Sequence, residues 1–262
     1  MSGDQTVVLD PHIVRLGLHR AMARSTDAVL CIVRPHKVAF VGVSSRRLLV
    51  AWEHALGEDG RQASRPVQYY LFPPLIVHML SGHAAQSVTR MRLGMAAKDV
   101  CLTMTDAAGS YELRWRADPA SFPAPPEFSK MLAVPEGMLE VSYLHISDAA
   151  HQAIANLVML HSVHDVPPNK LAILIDFSPS HLTLNGQTVM HGIRGRHYFD
   201  PRLIIRALEF IKGRTVRVGL NVLPGASRAV LTLLAEQDNW RVHCSLLSIG
   251  LDTQKLYPPP ET

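Results

Sequence analysis

The residues best suited to chemistry are histidines. His161-Ser-Val-His164-Asp165 places two imidazoles three residues apart, with a carboxylate beside the second. Zinc sites use such groups, but they need a third and a fourth ligand fixed elsewhere. No HExxH and no Cys pair accompanies this cluster, so no metal and no cofactor is expected. The other histidines of the fourteen read as surface or boundary residues. Nucleophile motifs of the GxSxG and SxxK kind are absent. So are GxGxxG and GxxxxGK[ST], which argues against a nucleotide site. The expectation is a protein that is not an enzyme, with catalytic residues none. The competitor is a small histidine-dependent metal hydrolase, which metal analysis of the purified protein separates.

The arginines offer a different chemistry. Pro11 to Ser25 has helical periodicity, with Ile13, Val14, Gly17, Leu18, Ala21 and Met22 on one face. His12, Arg15 and His19 lie opposite, with Arg20 and Arg24 at the edge. Asp10 is placed to cap this helix, with Pro11 at its first position. On a later helix, Pro201 to Lys212, Arg202 and Arg206 stand one turn apart, opposite Ile204, Ala207, Leu208 and Ile211. Arginines on a solvent face neutralise phosphates without reading bases. The plain alternative is a solvated helix face. Two further helices weaken the pattern: one offers His151 and His161 but no Lys or Arg, the other only His78, with His83 just beyond. Arg46-Arg47 and Arg194-Gly-Arg196 fit phosphate contacts or solvated charge equally well.

Composition sets the frame. Of 262 residues, 47% are hydrophobic and 18% charged, enough apolar material for real cores. The net charge of +4 permits nucleic-acid binding without establishing it. Cys31, Cys101 and Cys244 are odd in number, scattered and embedded in apolar stretches, which suits a reducing compartment. No signal peptide and no membrane-length apolar run is evident, so a cytoplasmic protein is expected.

The positioning elements recur. Strands are expected over 28–33, 37–43, 48–52 and 67–72, then a short helix over 74–81, then strands over 88–93, 100–105 and 111–115. Asp106 to Gly109 reads as a hairpin loop. The second half repeats the order: a strand over 138–144, a helix over 147–162, strands over 171–177, 181–184 and 188–191, a helix over 201–212, and strands over 215–222, 229–234 and 240–247. Each half ends in a proline run, Phe122-Pro-Ala-Pro-Pro-Glu127 and Tyr257-Pro-Pro-Pro-Glu261. The reading is an α+β chain of two tandem domains, 1–126 and 127–262, joined by an extended linker at about 118–137. One α+β domain without internal duplication is the bland alternative.

This tandem plan resembles the DNA sliding-clamp superfamily, in its bacterial beta-clamp and PCNA-like forms. Two stretches carry the resemblance: Phe199 to Leu220, similar to the second helix and following strand of a clamp domain, and Gly109 to Trp115 followed by the Phe122 to Glu127 linker. Two domains are similar to archaeal, eukaryotic and phage clamps; three occur in bacterial ones. The basic pI of 9.1 departs from ring clamps, which tend to be acidic. The resemblance implies two clamp-like domains, each with two helices packed on antiparallel sheets. It implies a processivity factor that binds duplex DNA without sequence specificity through Arg15, Arg20, Arg24, Arg202 and Arg206. It implies a homo-oligomer that tethers a DNA polymerase or other replication and repair proteins, with Leu251 and Tyr257 where clamps bind partners. A clamp-fold scaffold without DNA binding is a third reading.

Overall fold

The computed structural model describes residues 6–22, 28–44, 47–56, 67–81, 87–96, 99–122, 124, 127–164, 173–177, 182–184, 187–190, 195–211, 215–223, 228–237 and 239–248. The chain divides into two compact units: residues 1–46, 50–124 and 238–241 in the first, and 47–49, 125–237 and 242–262 in the second.

In the first unit, β1 (Val7–Leu9) leads into α1 (Pro11–Met22). Asp10 caps the helix: its Oδ1 accepts the His12 N–H at 2.7 Å and its carbonyl accepts from Val14 at 3.0 Å. Next come β2 (Val29–Val33), β3 (Lys37–Ser44), β4 (Leu48–Ala55), β5 (Gln68–Phe72) and α2 (Pro74–Ser81). The unit closes with β6 (Arg90–Ala96), β7 (Asp99–Asp106) and β8 (Gly109–Arg116). The strands form two antiparallel sheets, β5-β2-β3-β4 and β1-β6-β7-β8. The β7–β8 hairpin turns as its sequence predicts: Asp106 Oδ1 accepts from the amides of Ala108 and Gly109, and Gly109 takes a positive φ of 145°.

Helix α1 lies on β2 and β3 and beside α2. Two glycines set how closely it seats. A Cβ on Gly17 would fall 2.1 Å from the Phe40 ring, and a Cβ on Gly42 would fall 2.1 Å from the Ala21 carbonyl oxygen. Helix and strand therefore approach nearer than side chains at either position permit. Val14, Leu18 and Ala21 are buried beneath the helix, and Phe40 is fully buried on the strand.

The second unit holds β9 (Leu139–Ser142), α4 (Tyr143–His164), β10 (Ile173–Phe177), β11 (Leu182–Leu184), β12 (Gln187–Met190) and β13 (Gly195–Phe199). Then follow α5 (Pro201–Phe210), β14 (Thr215–Val222), β15 (Ala229–Gln237) and β16 (Trp240–Leu247). Its sheets run β16-β15-β14-β9 and β12-β11-β10-β13, with α4 beside α5. Asp200 starts α5 through its carbonyl, which accepts from Leu203 at 3.0 Å and Ile204 at 3.2 Å.

Three expectations need correction. Helix α4 begins at Tyr143 rather than Ser147, because the buried Ile146 and Ala150 are four apart and Leu144 points to solvent at 67% exposure. Strands β1 and β13 were not expected. The stretch 118–137 is not simply extended: it contains a 3-10 turn (Pro119–Ser121) capped by Asp118, and a short helix α3 (Phe128–Met131). Met131 is fully buried and its carbonyl accepts from Ser245 Oγ at 2.7 Å; this hydroxyl also bonds His243 Nε2 at 2.6 Å. Burying that methionine outweighs the extended preference that the nearby prolines impose.

Candidate nucleic-acid interface

Each unit carries a pair of adjacent helices, and their surface chemistry differs. Across α1 and α2 the ionisable side chains are Arg15, Arg20, His12, His19 and His78, with no Asp or Glu within either helix. His12, His19 and His78 are exposed. Arg15 is half-buried on the solvent side of α1, as its spacing from the buried Val14 and Leu18 requires.

Arg20 is not simply solvated. Its guanidinium lies 4.3 Å from the centroid of the Trp52 ring, a cation–π contact, and partial burial lowers its pKa. Trp52 meets Trp240 edge-to-face at 6.1 Å, and Trp240 meets His54 edge-to-face at 4.7 Å. Trp240 and Arg241, at the start of β16, belong to the first unit. Sequence reasoning missed this cluster, although Trp52 and His54 alternate on β4 and so share a face. On the opposite face of β4, Glu53 sits among cations: Lys37 Nζ at 2.7 Å, Arg34 at 3.1 Å and Arg241 at 3.9 Å. Burial pushes the Glu53 carboxyl up, but the Lys37 hydrogen bond and the charges of Lys37, Arg34 and Arg241 more than offset it, and its pKa falls below the usual 4.5.

On α5, Leu203, Ile204, Ala207 and Leu208 are buried and Arg206 is half-buried on the other side. Arg202 lies on the same helix one turn earlier, with its side chain outside the described residues. Exposed Glu209 shares α5, and α4 has exposed Asp148 with no Lys or Arg. Arg24, Leu251 and Tyr257 lie outside the described residues, as do the side chains of His161 and His164. Among the described residues, no group of three or more His, Cys, Asp and Glu could hold a metal, and no helix is long and apolar enough to cross a membrane. The described cysteines are free thiols, and burial pushes the Cys31 and Cys244 thiols up.

A second basic surface also escaped the sequence reading. In the β6–β7–β8 ladder, Arg90 and Arg92 alternate with buried Met91 and Leu93, and Arg114 and Arg116 flank buried Trp115. All four arginines are exposed, on the solvent side of the sheet, where Arg114 pairs with Glu112. The period-two spacing of these arginines was the available signal.

Helix pairs lying on antiparallel sheets, once in each compact unit, are an architecture that comparison with solved structures recognises. The DNA polymerase sliding clamp of Pseudomonas aeruginosa superposes with a TM-score of 0.58 at 13% identity, over 94% of this chain and 67% of that one. The chain has the sliding-clamp fold. A. fulgidus PCNA, solved with the C-terminal region of FEN-1, gives 0.52 at 10% identity, over 93% of this chain and 98% of that one. The Helicobacter pylori beta clamp bound to a DNA ligase peptide gives 0.54 at 13% identity, over 98% of this chain and 70% of that one. The chain thus matches nearly the whole length of an archaeal clamp and about two thirds of bacterial ones. In sequence, no family model and no curated protein matches it.

Proposed function

We propose that the protein is a two-domain, clamp-like processivity factor that holds duplex DNA without reading its sequence and tethers replication or repair proteins to it. The observation that carries this reading is the α1–α2 pair, whose two helices carry Arg15, Arg20 and three histidines and contain no Asp or Glu beyond the Asp10 cap. Guanidinium groups there neutralise phosphates and release counterions, and this attraction is the same at every base pair, as sliding requires. The solved clamps bound to FEN-1 and DNA ligase segments support peptide docking as the mode of tethering. Such a protein works by electrostatics and topology, in the cytoplasm, and needs no cofactor and no catalytic group.

The same reading makes the protein a homo-oligomer. Strand β5 is an edge of its sheet in the first unit, with exposed Tyr69 on it and exposed Leu75 and Met79 on neighbouring α2. Strand β9 is an edge in the second unit, followed at once by exposed Leu144 on α4. Edge strands beside exposed apolar side chains invite strand pairing with another copy. A clamp-fold scaffold without DNA binding is the second reading, favoured by the carboxylates on α4 and α5. Binding to open-ended linear duplex, measured with native mass, separates the two. Salt-sensitive, sequence-independent binding by an oligomer supports the first; a monomer indifferent to DNA leaves the scaffold.

A further inference from the structure

The structure places a partly exposed aromatic cluster beside an arginine on the first unit, and we propose that it stacks an unpaired nucleobase, giving this protein a binding site for single-stranded nucleic acid. The cluster comprises Arg20, Trp52, His54 and Trp240. Trp240 and His54 are partly exposed, whereas Trp52 is buried, with only 6% exposure. Both ring contacts are edge-to-face, with interplanar angles of 76° and 66°. An edge-to-face contact covers the face of only one of its two rings; the buried Trp52 has Arg20 over its ring, so the partly exposed Trp240 is the ring assigned to stacking.

Two contrasts separate this cluster from ordinary core packing. Trp115 donates its indole N–H to the Leu71 carbonyl at 2.8 Å, whereas the buried indole N–H of Trp52 has no hydrogen-bond partner among the described residues. The charge is also right for a polyanion: Arg20 supplies the cation at the cluster, and α1 adds Arg15 with no Asp or Glu within the helix. Single-strand sites combine a cationic track for the backbone with aromatic rings on which bases stack. A continuous duplex offers no base face, so the cluster selects unpaired nucleotides, such as those beside a duplex end.

This inference goes beyond the duplex reading and is tested apart from it. Tryptophan fluorescence of the full chain is titrated with an oligo-dT of about 15 nucleotides, with an abasic oligonucleotide of equal length, and with linear duplex. Saturable quenching by oligo-dT, about tenfold tighter than the abasic strand, is expected. Trp240→Ala should remove that preference while leaving duplex binding unchanged, and Trp240→Phe should keep most of it. Should Trp240→Ala fail to fold, the comparison of dT with abasic strand on the parent, and the Phe variant, decide alone. Equal affinity for the two strands, no binding of oligo-dT at low salt, or a folded Trp240→Ala protein that still prefers dT would overturn the proposal. Loss of duplex and dT binding together would also overturn it, because the cluster would then only support the helix face. Failure of duplex binding alone would count against the processivity reading and leave this one standing.

Discussion

The two helix pairs are built on one plan and charged differently. Helices α1 and α2 contain arginines and histidines and no Asp or Glu, while α4 and α5 contain Asp148 and Glu209 as well as Arg202 and Arg206. They are also seated differently. Glycine contacts bring α1 close to β3, whereas α5 rests on the bulky, buried Leu203, Ile204 and Leu208. The same fold can therefore hold one helix pair suited to a polyanion and another close to neutral. Charge on the solvent face is free to vary because packing of the apolar face alone specifies the helix.

The largest expected effect tests the seat of α1. At Gly42 an added Cβ meets a backbone carbonyl, which cannot swing aside as a side chain can. Gly42→Ala should cost about 3 kcal/mol or more, and Gly17→Ala, which meets only the Phe40 ring, about 1–3 kcal/mol. Urea unfolding measures both. Equal, small losses would mean that the close approach does not position the helix.

Next in size is the Glu53 cluster, which fastens the strand carrying Trp52 and His54. Glu53→Gln should cost about 1–2 kcal/mol, the range for hydrogen bonds to charged groups after allowance for partial exposure. The folded pKa of Glu53 lies below its unfolded value. Its stabilisation is therefore fully present at neutral pH and is lost as pH falls below 4.5 and through the folded pKa. The Gln variant should lose that part of the acid dependence; an unchanged acid limb would show that the three cations do not stabilise the carboxylate.

A smaller effect sharpens the charge comparison itself. Replacing Asp148 with Asn and Glu209 with Gln should raise duplex affinity a few-fold, because each removes an exposed charge repelled by phosphate, worth about 0.2–1 kcal/mol. Arg90→Ala with Arg92→Ala, on the sheet surface, should change duplex affinity least. A large loss there would move the DNA site from the helices to the β6–β7–β8 sheet. Filter binding at fixed ionic strength reads both.

Much of this architecture was legible in the chain. Asp10-Pro11 and the spacing of Val14, Leu18 and Ala21 announce α1, and Pro74 to Ser81 matches α2 end to end. Asp106 to Gly109 announces its hairpin through side-chain and turn chemistry that is local. What local pattern does not hold was missed. Strand β13, Gly195–Phe199, has no apolar alternation at its start, and its pairing with β10 comes from distant sequence. The tightness at Gly17 and Gly42 depends on what lies across the interface, which neither glycine's neighbours reveal. The arginine positions on α1 follow from periodicity, but the stacking of Arg20 on Trp52 joins residues from different elements. That contact separates two neighbouring arginines: Arg20→Ala should lose about 0.5–1 kcal/mol of cation–π attraction, and Arg15→Ala should lose little.

In the proposed function, the α1 arginines hold duplex DNA by its phosphates. The most direct test of this is the salt dependence of binding to linear duplex by the parent and by the Arg15→Ala/Arg20→Ala protein, with native mass recorded for each. The parent should show a steep linear fall of log affinity with log salt, independent of sequence, and the variant a line shallower by about 0.9 for each phosphate contact removed. A folded variant of unchanged mass whose affinity and slope equal the parent's would contradict the claim and reduce this face to a solvated one.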